Sequence, residues 1–514
     1  MVANGADRMG SGLETRSQTG ELEMAARREG GRKETDRQSR LVIVSNRLPV
    51  VAKKDEKGQW QVKPGSGGLV TALAPVLRDR GGLWIGWPGA GEDVELDGLL
   101  GQAGEHAGYT FKGINLSQEE IEQYYLGFSN ETLWPLFHDL QSRCTFEPRH
   151  WHMYQAVNRK FAQAIADHTE EDDQVWVQDY HLLLVAKELR AMGVNRKLLF
   201  FLHTPFPPLD IFMKLPWRTP ILRAMLEYDL MGFQTLRDRN NFMYSAESLI
   251  KGLPHLDARR RVSSMASKER ETRVGIFPIS IDFSDFASSA RDFAVTHRMN
   301  EIRAESSGCK IVLGVDRLDY SKGIPLRLQA YKNLLERFPD LREKITFVQI
   351  IVPSREDIPE YQKLKTEIEG LVGEINGQFS GPGWTPVQYM FRSVERSELL
   401  AYYRAAHIGL ITPLKDGMNL IAKEYCAANI EHDGVLLLSE FAGAASQLRG
   451  GALLVNPYDI EGVANAINRA YHMSTDERRC RMRRLRNSIH KHDIFWWVER
   501  FLAAASGVSG ARTR

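Results

Sequence analysis

The stretch "IVLGVDRLDYSKGIP", residues 311–325, changes character halfway. Ile311, Val312, Leu313 and Val315 form an apolar β-run, and Asp316, Arg317, Asp319, Lys322 and Gly323 follow at once, just before a helical pattern opens. In open α/β sheets, ligands sit outside the carboxyl ends of the strands. Charges crowded at such an end therefore point to an anionic ligand facing Arg317 and Lys322. The same switch recurs along the chain. "RLVIVSNRLPV" (40–50) is a strand ending in polar residues, and "GGLVTALAPVLRD" (67–79) reads as a helix opened by two glycines. "DDQVWVQDYHLLLVAKELRAMG" (172–193) is strand, polar switch, helix and glycine stop; "RKLLFFLHTPFPP" (196–208) is a strand ending at His203. "LMGFQT" (230–235) and "TRVGIFPISID" (272–282) read as two more. A second series begins near residue 309 with "CKIVLGVDRL", "ITFVQIIVPSR", "HIGLITPLKDG", "GVLLLSEFAG" and "GALLVNPYD". Strand–helix alternation of this kind predicts parallel sheets covered on both faces, and two series predict two doubly wound α/β domains.

Bulk properties fit that division. A chain of 514 residues is too long for one ordinary core. A hydrophobic share of 43%, a charged share of 26% and a net charge of +2 suit a globular enzyme and give no global field for nucleic acid. Cys144, Cys309, Cys426 and Cys480 are widely spaced, which speaks against a disulfide scaffold and a zinc site and for a reducing cytosol. No apolar run reaches the roughly 18 residues of a membrane span. Residues 1–39, rich in Arg, Glu, Gly and Ser, are expected to form a disordered polar tail. The expected division is 40–282, then 283–482 beginning with a polar, pattern-poor linker at 283–300. An amphipathic C-terminal helix and tail follow at 483–514, with packing back on the first domain as one option. Phe495, Trp496, Trp497, Phe501 and Leu502 form the wide apolar face of that helix.

Gathered in a cleft between the domains, the strand ends would bring together Arg47, Gly67, Gly68, Asp179, His181 and His203 from one side. Arg317, Lys322, Arg355 and the run Asp416–Glu424 would come from the other. Cations and glycines at helix starts suit phosphates, because backbone N–H groups and the helix dipole favour anions there. Arginine adds a planar fork and lysine a point charge, and charge-assisted hydrogen bonds contribute about 1.5–3 kcal/mol each. Singly, each piece has a plainer reading. Gly67–Gly68 fits a tight turn, His203 a satisfied core histidine, and Arg317 and Lys322 fit a surface network with Asp316 and Asp319. "KDGMNLIAKE" (415–424) fits an ordinary helix start, with Met418, Leu420 and Ile421 as core. Repetition at successive strand ends favours the anion reading.

The collinear motifs "VSNRLP", "GSGGLVTAL", "GGLWIGWPG", "YYLGFSNETLWPLFH", "VWVQDYHLLLVAKELR", "FFLHTPFPP", "DLMGFQT", "VDRLDYSKGIPLR", "PSRED", "GWTPVQYM", "LITPLKDGMNLIAKEY", "LLLSEFAGAASQL" and "LLVNPYD" run from about residue 40 to 500. Together they resemble the trehalose-6-phosphate synthases. The resemblance implies a GT-B fold, two facing Rossmann-like domains with the active site between them. It implies retaining transfer of glucose from UDP-glucose to C1 of glucose 6-phosphate, with no cofactor and no metal. It places Arg47, Tyr125 and Arg355 around the acceptor phosphate and Trp134 and Asp179 on the acceptor sugar. It assigns Gly67 and Gly68 to the donor, Arg317 and Lys322 to its diphosphate, and Asp416, Met418, Asn419 and Leu420 to its glucose. Ile421, Ala422 and Lys423 fall in the same donor stretch, Glu424 on the ribose, and Val394 where backbone meets the base. It makes His203, Arg317, Lys322 and Asp416 the catalytic set. Front-face transfer is implied, the leaving phosphate oxygen helping to deprotonate the acceptor hydroxyl, rather than a double displacement using Asp179 and Asp416. Cytoplasmic location and a separate trehalose-6-phosphate phosphatase downstream are expected, and a homo-oligomer is left open. The alternatives are a transferase for another phosphorylated acceptor and a catalytically silent sugar-phosphate sensor; the complete Arg317, Lys322, Asp416 and Glu424 set speaks against the sensor.

Overall fold

The apolar runs read above become strands wherever β-branched and aromatic residues are buried on both faces. In chain order the strands are β1 (Leu41–Arg47), β2 (Val50–Lys54), β3 (Trp60–Pro64), β4 (Leu83–Trp87), β5 (Thr110–Gly113), β6 (Gln174–Gln178), β7 (Lys197–Leu202), β8 (Leu230–Phe233), β9 (Val262–Ala266) and β10 (Glu271–Ile276). They continue with β11 (Lys310–Arg317), β12 (Ile345–Val352), β13 (Val387–Phe391), β14 (Ile408–Ile411), β15 (Val435–Ser439) and β16 (Leu453–Val455). The structure is a computed structural model that describes residues 39–55, 57–65, 68–91, 94–253, 262–266, 270–306, 308–355 and 358–507. The expected tail, apart from Ser39, and Gly67 lie outside the described residues.

Two separate sheets result. The first runs β5-β4-β1-β6-β7-β8-β10-β9 and the second β13-β12-β11-β14-β15-β16. The second is parallel throughout. The first departs from the all-parallel expectation at its edge, where β9 runs antiparallel to β10. A β2–β3 hairpin stands apart from both sheets. Its short alternating strands carry no buried-strand signature. Strand order reverses between β1 and β6 in the first half and between β11 and β14 in the second. These are the topological switch points, where an open α/β sheet leaves a crevice at its carboxyl edge. Arg47 ends β1 and Asp179 follows β6, while Arg317 ends β11 and Asp416 lies beyond β14.

The expected linker at 283–300 is not pattern-poor in space. It forms helices Phe283–Ser289 and Phe293–Glu305. Asp282 caps the first by accepting the Asp285 N–H at 3.0 Å. Val295, Met299 and Ile302 bury one face of the second, a four-and-three spacing hidden among polar neighbours. The C-terminal stretch is also two helices rather than one, Thr475–Lys491 and Ile494–Ser506, so the expected border at 482/483 falls inside a helix. Asp493 caps the last helix through the Trp496 N–H. That helix returns to the first half: Trp497 and Phe501 stack on Trp176 of β6 with ring centroids 5.0 and 4.5 Å apart. Of the expected apolar face, Trp497 and Phe501 are buried, whereas Phe495, Trp496 and Leu502 are only partly covered. The same helix holds the connection between the halves, with the Trp497 indole N–H on the Phe277 carbonyl at 2.7 Å and the Ile494 N–H on Ile281 at 3.0 Å. Among the described residues, no helix is long and apolar enough to cross a membrane.

Candidate active site

Tyr125 and Trp134 lie on and just beyond Ile121–Leu133, thirteen residues wound as π-helix, a rare form concentrated at functional sites. Tyr124 anchors the segment by donating to Asn46 Oδ1 at 2.8 Å, beside Arg47. Asn130 holds it from within, donating to the Tyr125 carbonyl at 2.7 Å and accepting from the Tyr180 hydroxyl at 3.1 Å. Arg47 stacks over Trp87 at 3.6 Å and lies 5.3 Å from the Tyr125 ring. Arg47 has no carboxylate partner among the described residues. From the other half, Arg355 stacks over Trp134 at 4.5 Å and donates to the Tyr361 hydroxyl at 2.7 Å. Burial alone would raise the Tyr125 phenol, but Arg355, Arg47 and Arg317 outweigh it and leave the phenol below its ordinary pKa. Cations from both halves thus converge on one tyrosine. The buried indole N–H of Trp134 has no acceptor among the described residues.

Beyond β11 the chain turns through Tyr320–Lys322 and enters helix Ile324–Arg337. Asp319 accepts the Ser321 N–H at 2.9 Å and shapes the turn. Its carboxylate stands 3.9 Å from Arg317 and 3.8 Å from Arg355, long pairs that hold both guanidiniums without saturating them. Asp316 does not pair with Arg317 or Lys322; it is bonded to buried Arg327. Lys322 instead reaches Asp416 Oδ2 at 2.6 Å. Asp416 Oδ1 accepts the Met418 and Asn419 N–H groups at 3.0 and 3.1 Å, and Oδ2 also takes Asn419 Nδ2 at 3.2 Å. Burial opposes this carboxylate's charge, yet Lys322 and these donors hold its pKa below the usual value. Asn419, in the left-handed region at φ 58°, caps helix Leu420–Ala428 by accepting the Ala422 N–H at 3.1 Å.

Asp179 has φ 69° and ψ 172°, a backbone conformation that is nearly glycine-only and costs of order 1–3 kcal/mol. Its Oδ1 accepts the N–H groups of His203 and Thr204 at 3.2 and 3.3 Å. Burial lifts its pKa to about 6. His203 is buried and neutral, its pKa pushed to about 3. Gln234 uses its Oε1 on the Ile279 N–H at 2.8 Å, so its amide group donates to His203 Nδ1 at 3.3 Å. Nε2–H then donates to Gln178 Oε1 at 2.9 Å. Both ring nitrogens of the expected catalytic histidine are engaged by glutamines, and its main-chain carbonyl lies at the seam with the other half. Gly417 of the other half packs there so closely that a Cβ on it would lie 2.0 Å from that oxygen. Lys415 and Asp139 close the same seam with an ion pair.

The structure brings together Arg47, Tyr125, Trp134 and Asp179 with Arg317, Lys322, Arg355 and Asp416. Gly68 starts helix Gly68–Arg80. Half-buried Val394 lies in the loop after β13. Met418 and Ile421 are partly covered and Leu420 and Ala422 buried around the cap at Asn419. Buried Glu424 accepts the Tyr403 hydroxyl at 2.9 Å, and burial raises its pKa. Lys423, in the expected donor stretch, turns its side chain elsewhere: its ammonium bonds the Ile279 carbonyl and Gln447 Oε1, the latter at 2.5 Å. Burial lowers its pKa to about 7. Sequence reasoning missed Asp319, Tyr361, Gln178 and Gln234. Asp319 sits inside the opening stretch and Gln234 inside "GFQT", but Tyr361 carries no signal beyond a core position in helix Pro359–Phe379.

Comparison with known proteins fits this arrangement. A family model described as Glycosyltransferase family 20 matches residues 39–506. A trehalose-6-phosphate synthase of Mycolicibacterium vanbaalenii is 44% identical over 468 residues, 90% of this chain and 95% of that protein. An alpha,alpha-trehalose-phosphate synthase (UDP-forming) from Burkholderia xenovorans, solved in complex with glucose-6-phosphate, superposes with a TM-score of 0.82 at 36% identity. That match covers 91% of this chain and all of the other. The E. coli enzyme bound with UDP-2-fluoro glucose superposes with a TM-score of 0.81 at 38% identity, covering 91% and 99% of the two chains.

Proposed function

The chain belongs to glycosyltransferase family 20, and on that premise we propose how its GT-B cleft moves glucose from UDP-glucose to glucose 6-phosphate, giving α,α-trehalose 6-phosphate and UDP. One observation carries the reading: Arg47 and Arg355, from opposite halves, flank Tyr125 and draw its pKa down. A sugar phosphate suits that nest, its dianion on the two arginines and the phenol, and its hydroxyls on the free Trp134 N–H and the Asp179 carboxylate. The first half thus supplies most of the acceptor side and the second most of the donor side, with Arg355 and Gly68 reaching across. Arg317 and Lys322 take the diphosphate, Asp416 and the Met418–Leu420 backbone the glucosyl hydroxyls, Glu424 the ribose and the Val394 main chain the base. Gly68 lets backbone approach the donor.

As the bond from C1 to the leaving phosphate oxygen breaks, charge grows on that oxygen, and fixed cations aimed there stabilise the transition state more than the ground state. The same oxygen takes the proton of the acceptor hydroxyl, which forms the new C1–O bond on the face just vacated, so configuration is retained. Four donors on the Asp416 oxygens, Lys322 among them, make it a poor nucleophile and disfavour a covalent glucosyl-enzyme. All four cysteines stand as free thiols, in keeping with a cytoplasmic setting. A separate phosphatase consuming the product, and assembly into a homo-oligomer, complete the reading.

The reading is tested by UDP release from purified protein, which should require glucose 6-phosphate and fall away with acceptors lacking the phosphate. Arg47→Ala should raise the KM for glucose 6-phosphate by about tenfold or more, one charge-assisted bond's worth, while donor KM stays nearly constant. Unchanged acceptor kinetics would remove Arg47 from the phosphate site. Asp179 gives a pH test. A carboxyl whose folded pKa is raised binds more protons folded than unfolded between roughly pH 4 and pH 6, so stability is lost as pH rises through that window. Asp179→Asn should therefore melt higher than the parent at pH 7.5 and converge with it near pH 4, while losing turnover at both. Equal melting temperatures at pH 7.5 would show that the carboxyl is not held strained in its charged form.

A further inference from the structure

Ile279 lies in the connection between the halves, after β10 and before helix Phe283–Ser289, and each end of its backbone is held by a different half. Its N–H is bonded to Gln234 Oε1 from the first half at 2.8 Å. Its carbonyl is bonded to the Lys423 ammonium from the second. Gln234 continues to the His203 ring, and Lys423 stands on helix Leu420–Ala428, whose cap follows Gly417. Gly417 packs on the His203–Thr204 backbone. The contacts therefore close a ring: His203 main chain, Gly417, the capped helix, Lys423, Ile279, Gln234 and the His203 side chain. Gln234, Lys423 and His203 are all buried, so these bonds are shielded from competition by water.

We propose that Gln234 and Lys423 are positioning residues that act through Ile279 to set the donor-side helix in register with the acceptor side for transfer. Neither belongs to the phosphate or diphosphate nests. Their loss should spare binding to one half alone and penalise the step that needs both. This deepens the glucosyl-transfer reading and rests on it. If that reading is wrong, the unaltered protein releases no UDP on adding glucose 6-phosphate; if only the relay is wrong, the unaltered protein turns over and the variants behave otherwise than described next.

The experiment compares Lys423→Met, Gln234→Met and the double variant by steady-state kinetics and by UDP titration without acceptor. Each single variant is expected to lower kcat by about tenfold or more, with UDP affinity within about threefold of the parent. Because both act on one residue, the double variant should cost little more than the worse single one. Lys423→Arg, which keeps donors at the Ile279 carbonyl, should recover part of the rate lost in Lys423→Met. UDP affinity falling in step with kcat would make Lys423 an ordinary donor-site residue, and multiplying losses in the double variant would break the link through Ile279. Should Lys423→Met not fold, Gln234→Met alone decides: kcat within about twofold of the parent overturns the proposal.

Discussion

Lys322→Ala is expected to lower kcat by about a hundredfold or more, because it removes a positive charge from the leaving diphosphate and frees the carboxylate that shapes the donor loop. The buried pair with Asp416, at 2.6 Å, leaves the Asp416 carboxylate buried without that counter-ion once the ammonium is gone, held only by its neutral donors. Breaking such a pair costs about 3–5 kcal/mol, so the melt should shift as well. The two effects separate in the double variant Lys322→Ala, Asp416→Asn, which removes the orphaned charge. Its melting temperature should recover, and its rate should not. Arg317→Ala supplies the complement, since its guanidinium is half-exposed and only loosely paired with Asp319 at 3.9 Å. It should fold as the parent does and lose at least about tenfold in kcat. A shifted melt with an unshifted single-turnover rate would reduce both residues to structural partners. Because the charge comes from these side chains, a metal chelator should leave the parent's rate unchanged.

Gly417→Ala should be nearly as damaging without touching any charge. Its Cβ would meet the His203 carbonyl oxygen at 2.0 Å and the Thr204 carbonyl carbon at 2.9 Å. Both are backbone atoms and cannot swing aside, so the halves must part at the seam. A displacement near 1 Å of reacting groups costs about a hundredfold in rate. Binding of UDP, whose proposed side-chain contacts lie in the second half, should change far less. A kcat within about threefold of the parent would show that this seam does not set the reacting distance.

Much of the fold and of the site is legible in the sequence. The abrupt passage from Ile311–Val315 to Asp316–Lys322 marks a strand end at a switch point, because burial on both faces demands an unbroken apolar run and the crevice demands polar groups. Arg47, Asp179 and Asp416 are legible by the same rule. What escaped falls into two physical kinds. The helices at Phe283–Ser289 and Phe293–Glu305 bury a narrow stripe in a polar composition, so their periodicity is thin. The His203 environment is invisible for another reason: Gln178 and Gln234 are far apart in sequence, and only folding shows that they saturate both ring nitrogens. Lys423 lies within the stretch that the family resemblance assigns to the donor, yet its side chain points to Ile279. A helix places successive side chains on different faces, so a contiguous motif need not share one partner.

The central claim is tested most directly by nuclear magnetic resonance of the product made from UDP-glucose and glucose 6-phosphate by the purified protein. The expected result is a single phosphorylated disaccharide with both anomeric protons in the α configuration, formed one-for-one with UDP. A β-linked product, or UDP release without a disaccharide, would contradict the account.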